Sequence, residues 1–290
     1  MAIAQNWLTR MPAAWLDRIT IVTPAIIVFA HRLHQATSEF AERDDTLHVL
    51  RIDAFQLLAW GVVFYLLGER GSPRQPRWRE LVAGAATGLI GIFAPPAIGL
   101  AALTIFLMAI AAGDGRRLAA ATVVAALFAQ QVIAPIVFDL LVDSVTRWDA
   151  VLVGAMVKAT IVGATVDGNI ISVPSGHAIA ILSGCCSLHN ISPAILAWVA
   201  LTKFERPRWR WGDLAVLVAV VACQVLGNAA RIYLMAQSYD WYLVWHTGIG
   251  SKIYACCASA AAILVSAYGA HMVTRTGASK KFALPARQNA

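Results

Sequence analysis

The chain reads as an all-α polytopic membrane protein with about eight transmembrane helices and a small extracytoplasmic β-hairpin. Of its 290 residues, 59% are hydrophobic and only 13% charged, too apolar a balance for a soluble domain. The apolar residues gather in runs of about 15 to 25, which suit spanning helices and not the alternating strands of about ten residues found in membrane barrels. Basic residues crowd into alternate loops. Backbone groups in lipid must be satisfied within the segment or in a closed barrel, so such runs are helical.

The spans are expected near 14 to 31, 53 to 68, 80 to 95, 97 to 112, 118 to 142, 187 to 204, 213 to 235 and 250 to 273. The first is interrupted by Asp17, Arg18 and Pro24. Gly84 and Gly88 form a GxxxG in the third, a signature of close helix packing, and Pro95-Pro96 reverses the chain after it. Arg70, Arg74, Arg77 and Arg79, then Arg116-Arg117, Lys203 to Arg210 and Arg275 to Arg287 make four basic loops, which the positive-inside rule places in the cytoplasm. Arg32 to Ile52, Asp143 to Cys185 and Gln237 to Ile249 then fall outside, and eight crossings leave both termini cytoplasmic. The whole forms one integral membrane domain: helices one to five over 1–142, an extracytoplasmic segment over 143–185, helices six to eight over 186–273, and a tail over 274–290. No cleavable signal peptide is expected, because Met1 to Trp15 lacks an apolar core followed by a small-residue cleavage site. The net charge of +7 belongs to the loops, so it reads as topology and not as a nucleic-acid stripe.

The outer segment holds a second apolar stretch, Ala150 to Val166, which contains Lys158 and would spoil the charge agreement as a ninth crossing. An interfacial or re-entrant stretch is expected near 150 to 159. A β-hairpin should follow, because β-branched residues flank the Asp167-Gly168 pair. A third extended segment, His177 to Leu182, would deliver the chain to Cys186.

This topology puts Cys186 at the outer start of helix six, Arg231 at the outer end of helix seven and His246 just before helix eight. Cys223, Cys256 and Cys257 lie inside apolar runs, where a thiol packs as a small hydrophobe. Cys185 and Cys186 instead sit among Ser183, Gly184, Ser187, His189 and Asn190. A thiolate at a helix N-terminus gains from the free amides, and a nearby cation favours it further. Cys186 would attack a peptide carbonyl, His246 would carry the proton, and Arg231 would hold the oxyanion or a substrate carbonyl. Singly, each has a plainer role: an interfacial Arg can snorkel or pair with Asp240, and a His beside Trp245 can be a belt residue.

The order Gly168-Asn169-Ile170-Ile171, Cys186-Ser187, Asn228-Ala229-Ala230-Arg231-Ile232 and His246-Thr247-Gly248 resembles the exosortase/archaeosortase family. The likeness covers roughly Ala150 to Ala270, and Cys186-Ser187-Leu188-His189 departs from the family's Cys-Ser-Gly followed by a basic residue, so Cys185 stays open as the matching thiol. The resemblance implies a catalytic Cys186, Arg231 and His246, with Asn228, Ser187, Cys185 and His189 supporting or binding substrate. It implies a protein-sorting thiol protease and transpeptidase of the bacterial inner membrane. Its substrates would be membrane-anchored proteins ending in a short motif such as Pro-Glu-Pro, an apolar helix and a basic cluster, often in bacteria that make exopolysaccharide. No cofactor is implied.

Two other classes compete. Pro174-Ser175-Gly176-His177 spells the central motif of phosphatidic-acid-type membrane phosphatases, but the Lys with Arg-Pro upstream and the spaced Arg and His downstream are missing. A transporter or scaffold could line a path with Arg231, although no repeated halves are visible. A metal site from Cys185, Cys186, His189 and His246 lacks the spacing of tetrahedral zinc sites.

Overall fold

The computed structural model describes residues 13–41, 54–68 and 76–282. Residues 1–12, the outer loop from 42 on, the Arg70 and Arg74 part of the basic loop and the tail with Arg287 lie outside the described residues. Ten helices follow in order among the described residues: α1 (Ala13–Ala41), α2 (Ala54–Gly68), α3 (Trp78–Phe93), α4 (Pro96–Ile110), α5 (Gly115–Phe128), α6 (Ala134–Thr160), α7 (Ser187–Glu205), α8 (Trp211–Gln237), α9 (Tyr239–His246) and α10 (Ile249–Phe282). Between α6 and α7 lie strands β1 (Thr165–Asp167), β2 (Ile170–Ser172) and β3 (Ala178–Ala180). Among the described residues, three helical stretches, Gly115–Thr160, Trp211–Gln237 and Ile249–Thr276, are both long and apolar enough to cross a membrane, and Ala54–Gly68 and Pro96–Ile110 are shorter apolar helices. The chain is a multi-pass helical membrane protein.

The backbone divides into two compact units. The first comprises residues up to Val132 together with Val199–Trp209. Here α1 runs unbroken past Asp17 because that acid is buried in an ion pair with Arg117, so the charge that was expected to interrupt the helix is neutralised. Asp114 starts α5 by accepting the Arg116 and Arg117 amides at 2.9 and 3.3 Å. The glycines of α3 let α1 approach: a Cβ on Gly84 would lie 2.9 Å from the Thr20 carbonyl, and one on Gly91 2.8 Å from Val28.

The second unit, Ile133–Trp198 with Arg210 onward, carries the site. Its first helix corrects one expectation. The helix does not stop near 142 but runs on through 150 to 159, and Gly115–Thr160 is one helical stretch of 46 residues. Asp139, Asp143, Arg147 and Asp149 suit a helix as well as a loop, and no glycine occurs from Ala134 to Val153 to stop it. A five-residue π-turn, Ala129–Ile133, joins the two parts just before Pro135, whose ring and missing N–H disturb the ladder there.

On α6, Ala150, Val153 and Val157 recur at helical spacing and are buried against Ile171, Ile179 and Ile181 of the sheet region and against Ile232 and Met235 of α8. The sheet has order β1-β2-β3, with Asp167 opposite Ile170 and Ser172 opposite Ala178. The first turn is therefore centred on Gly168-Asn169, one residue later than the Asp-Gly pair predicts. Gly168 has φ +59° and Asn169 does not have a positive φ, the signature of a type II′ turn with glycine first. Pro174-Ser175-Gly176 makes the second turn, closed by Gly176 N–H to the Val173 carbonyl at 3.1 Å, with Gly176 at φ +83°.

Gly154 lets α6 sit on the hairpin, since a Cβ there would run into the Val166 side chain. Gly154→Ala should lower stability by about 1–3 kcal/mol through overpacking. Thermal unfolding in detergent checks this, and Gly154→Ala combined with Val166→Ala should recover most of the loss. An unchanged melting temperature for Gly154→Ala alone would contradict the packing described here.

Candidate functional site

Strand β3 leads through a short 3-10 turn, Ser183–Cys185, into Cys186 and the first turn of α7. Cys186 is fully buried, while Cys185 is half-buried. Burial pushes the Cys186 thiol above its ordinary value, the His189 and Leu188 amides pull it back, and the nearby Asp149 carboxylate pushes it up again. Burial also raises Cys185, opposed by the positive charge of Arg231. The two thiols thus divide the favourable features: Cys186 has the helix-start amides, and Cys185 has the guanidinium and the access.

The start of α7 is anchored by a residue sequence reasoning did not single out. Asp149, only 5% exposed on α6, accepts the Ser187 N–H at 2.7 Å and the Ser187 hydroxyl at 2.6 Å. Both bonds go to a carboxylate, the stronger kind of capping contact. The signal was an acid immediately before an apolar helical face, and its partner lies 38 positions away.

Asn228, fully buried on α8, continues the network by donating to the Cys185 carbonyl at 2.8 Å and to Ser187 Oγ at 3.4 Å. Its Oδ1 is buried without a partner. Arg231, three residues on and hence on the same helix face, donates from Nε to the Trp245 carbonyl at 3.0 Å and lies 5.1 Å from the centre of the Tyr254 ring. No ion pair joins it to Asp240. Tyr254 in turn accepts from Asn190 Nδ2 at 3.1 Å, tying α10 to the first turn of α7.

His246 is the last residue of α9, an eight-residue helix where a loop was expected. Ser238 begins that helix by accepting the Trp241 amide at 3.3 Å. His246 stacks on Tyr242 at 4.8 Å, and its Nδ1 is buried without a partner. The structure brings Asn228, Ser187 and Cys185 into one hydrogen-bonded cluster, and it joins Arg231 to the peptide unit that precedes His246. His189 lends the cluster its backbone and not its ring: its amide bonds the Cys186 carbonyl at 3.3 Å while its side chain is exposed. Among the described residues no three His, Cys, Asp or Glu side chains gather in a metal-binding arrangement.

The site is thus a buried and a half-buried thiol, a guanidinium with no acidic partner among the described residues and an imidazole, all in the chain from α6 to α10. A family model, Transmembrane exosortase (Exosortase_EpsH), matches residues 49–264. No curated protein and no solved structure matches the chain. The match reaches about a hundred residues further toward the N-terminus than the motifs alone, taking in the helices from α2 onward. By the extent of that match and the motif residues it contains, this chain belongs to the transmembrane exosortase family.

Proposed function

We propose that this protein is a sorting endopeptidase and transpeptidase of the bacterial inner membrane. It would cut the C-terminal signal of membrane-anchored secreted proteins at the extracytoplasmic face through a thioester on Cys186. The observation that carries this reading is the hydrogen-bonded run Asp149–Ser187–Asn228–Cys185, which fixes the thiol-bearing turn beside Arg231. Eight crossings with both termini inside, in a single integral membrane domain, complete the proposal. In that topology the thiols, Arg231 and α9 lie at the outer face, where a substrate helix alongside α7, α8 and α10 would present its motif.

A raised thiol is protonated at neutral pH, so it needs a base. His246, whose Nδ1 has no partner, takes the Cys186 proton as sulfur adds to the scissile carbonyl. Arg231 donates to the resulting oxyanion, and the open Asn228 Oδ1 receives a substrate N–H. The C–N bond then breaks, the amine leaves with the proton from the imidazolium, and a Cys186 thioester remains. Water or an amine attacks that thioester, its proton passes to His246, and the thiol is restored.

The test is co-expression with candidate substrates from the same genome, each ending in a short motif, an apolar helix and a basic tail. Wild type should process them, while Arg231→Ala and His246→Ala should each fall by a factor of about a hundred or more, as loss of an oxyanion donor or a general base does. Equal processing by wild type and both variants would remove the enzyme reading.

A further inference from the structure

The Pro174–His177 turn takes no part in the chemistry above, yet its histidine reaches the helix that carries His246. His177 Nε2 lies 3.0 Å from the Met235 carbonyl. A carbonyl only accepts, so Nε2 is the donor and its N–H is fixed there. Met235 is in the last turn of α8, where carbonyls lack intrahelical partners, and a histidine at a helix C-terminus is a favourable cap.

The same ring meets the next helix. It stands edge-on to Tyr239 at 6.4 Å and to Tyr242 at 6.2 Å, and Tyr242 lies nearly parallel to His246 at 4.8 Å with 14° between planes. Offset-stacked and edge-to-face pairs at these separations are the favoured aromatic arrangements. An eight-residue helix cannot hold its own geometry in isolation, so α9 takes its orientation from what it packs against.

We propose that His177 is a positioning residue: by capping α8 and abutting Tyr242 it sets the orientation of α9 and hence of the His246 ring. This rests on His246 acting as the base, as proposed above. It also gives the Pro-Ser-Gly-His motif a role without phosphate chemistry: the proline and glycine make the turn that aims the histidine at the α8–α9 corner.

The test follows the His246 ring resonances in full-length protein with labelled histidine, assigned by His246→Gln, for wild type, His177→Leu, His177→Gln, Tyr242→Leu and Tyr242→Phe. In parallel, each variant processes a reporter ending in a Pro-Glu-Pro motif, an apolar helix and a basic tail. His177→Leu and Tyr242→Leu should shift the His246 resonances away from their stacked values. Both should slow processing about ten-fold or more, since a misplacement of about 1 Å can cost about a hundred-fold. His177→Gln keeps an amide donor for Met235, and Tyr242→Phe keeps the stacked ring, so both should stay near wild type. Unmoved His246 resonances in His177→Leu, or a His177→Gln as shifted as His177→Leu, would overturn the proposal. Undiminished processing by His246→Gln would instead sink the base assignment, while the resonances still decide whether His177 orients the ring.

Discussion

Cys186→Ala should reduce processing to the background, a loss of up to about a million-fold by analogy with removal of a nucleophile from a catalytic triad. Cys185→Ala should cost about ten-fold or less, because what Asn228 holds is the Cys185 carbonyl, which alanine keeps. The two thiols are adjacent, and only one receives the amides at the start of α7. On that asymmetry we assign the nucleophile to Cys186, whose thiolate those amides favour as it forms. Cys185 carries the competing features: it is only half-buried, and the Arg231 guanidinium favours its thiolate. Processing by Cys186→Ala together with its loss in Cys185→Ala would reverse the assignment.

Asp149→Leu should cost about 2–6 kcal/mol of stability. It strands the buried Ser187 N–H and hydroxyl, each worth about 1–3 kcal/mol when left unsatisfied. Asp149→Asn keeps one acceptor oxygen and should lose less. It also removes a negative charge that pushes the Cys186 thiol up, so the midpoint for Cys186 alkylation by iodoacetamide should move to lower pH in Asp149→Asn. Denaturant unfolding in detergent measures the first effect, and peptide mass spectrometry of the alkylated protein measures the second. An Asp149→Leu as stable as the parent would show that Asp149 does not hold the turn, and a wild-type midpoint in Asp149→Asn would show that its charge does not act on the Cys186 thiol.

How much of this was legible in the sequence follows from the range of each signal. Hydropathy and basic loops are local, and they give a helical membrane protein without any contact information. The short motifs around Cys186, Asn228-Arg231 and His246 were enough for the family. The α6 continuation is hidden behind Lys158 and the charge agreement of the loops, whereas the deciding pattern is Ala150, Val153 and Val157 on one helical face. The hairpin centre moved by one residue because glycine can open a type II′ turn as readily as it closes a type I′ turn. The start of α9 was marked by Ser238 with Asp240 close behind, a capping signal hidden in a segment too short to show a period. Asp149 could not be read as the partner of Ser187 at all, since nothing local links residues so far apart along the chain.

The central claim is that a peptide carbonyl passes through a thioester on Cys186. The direct measurement adds hydroxylamine during processing of a sorting-signal reporter by purified protein and analyses the new C-terminus by mass spectrometry. The account predicts a C-terminal hydroxamate with wild type and none with Cys186→Ala. Processing of the reporter by Cys186→Ala, or wild-type processing that never yields the hydroxamate, would contradict it.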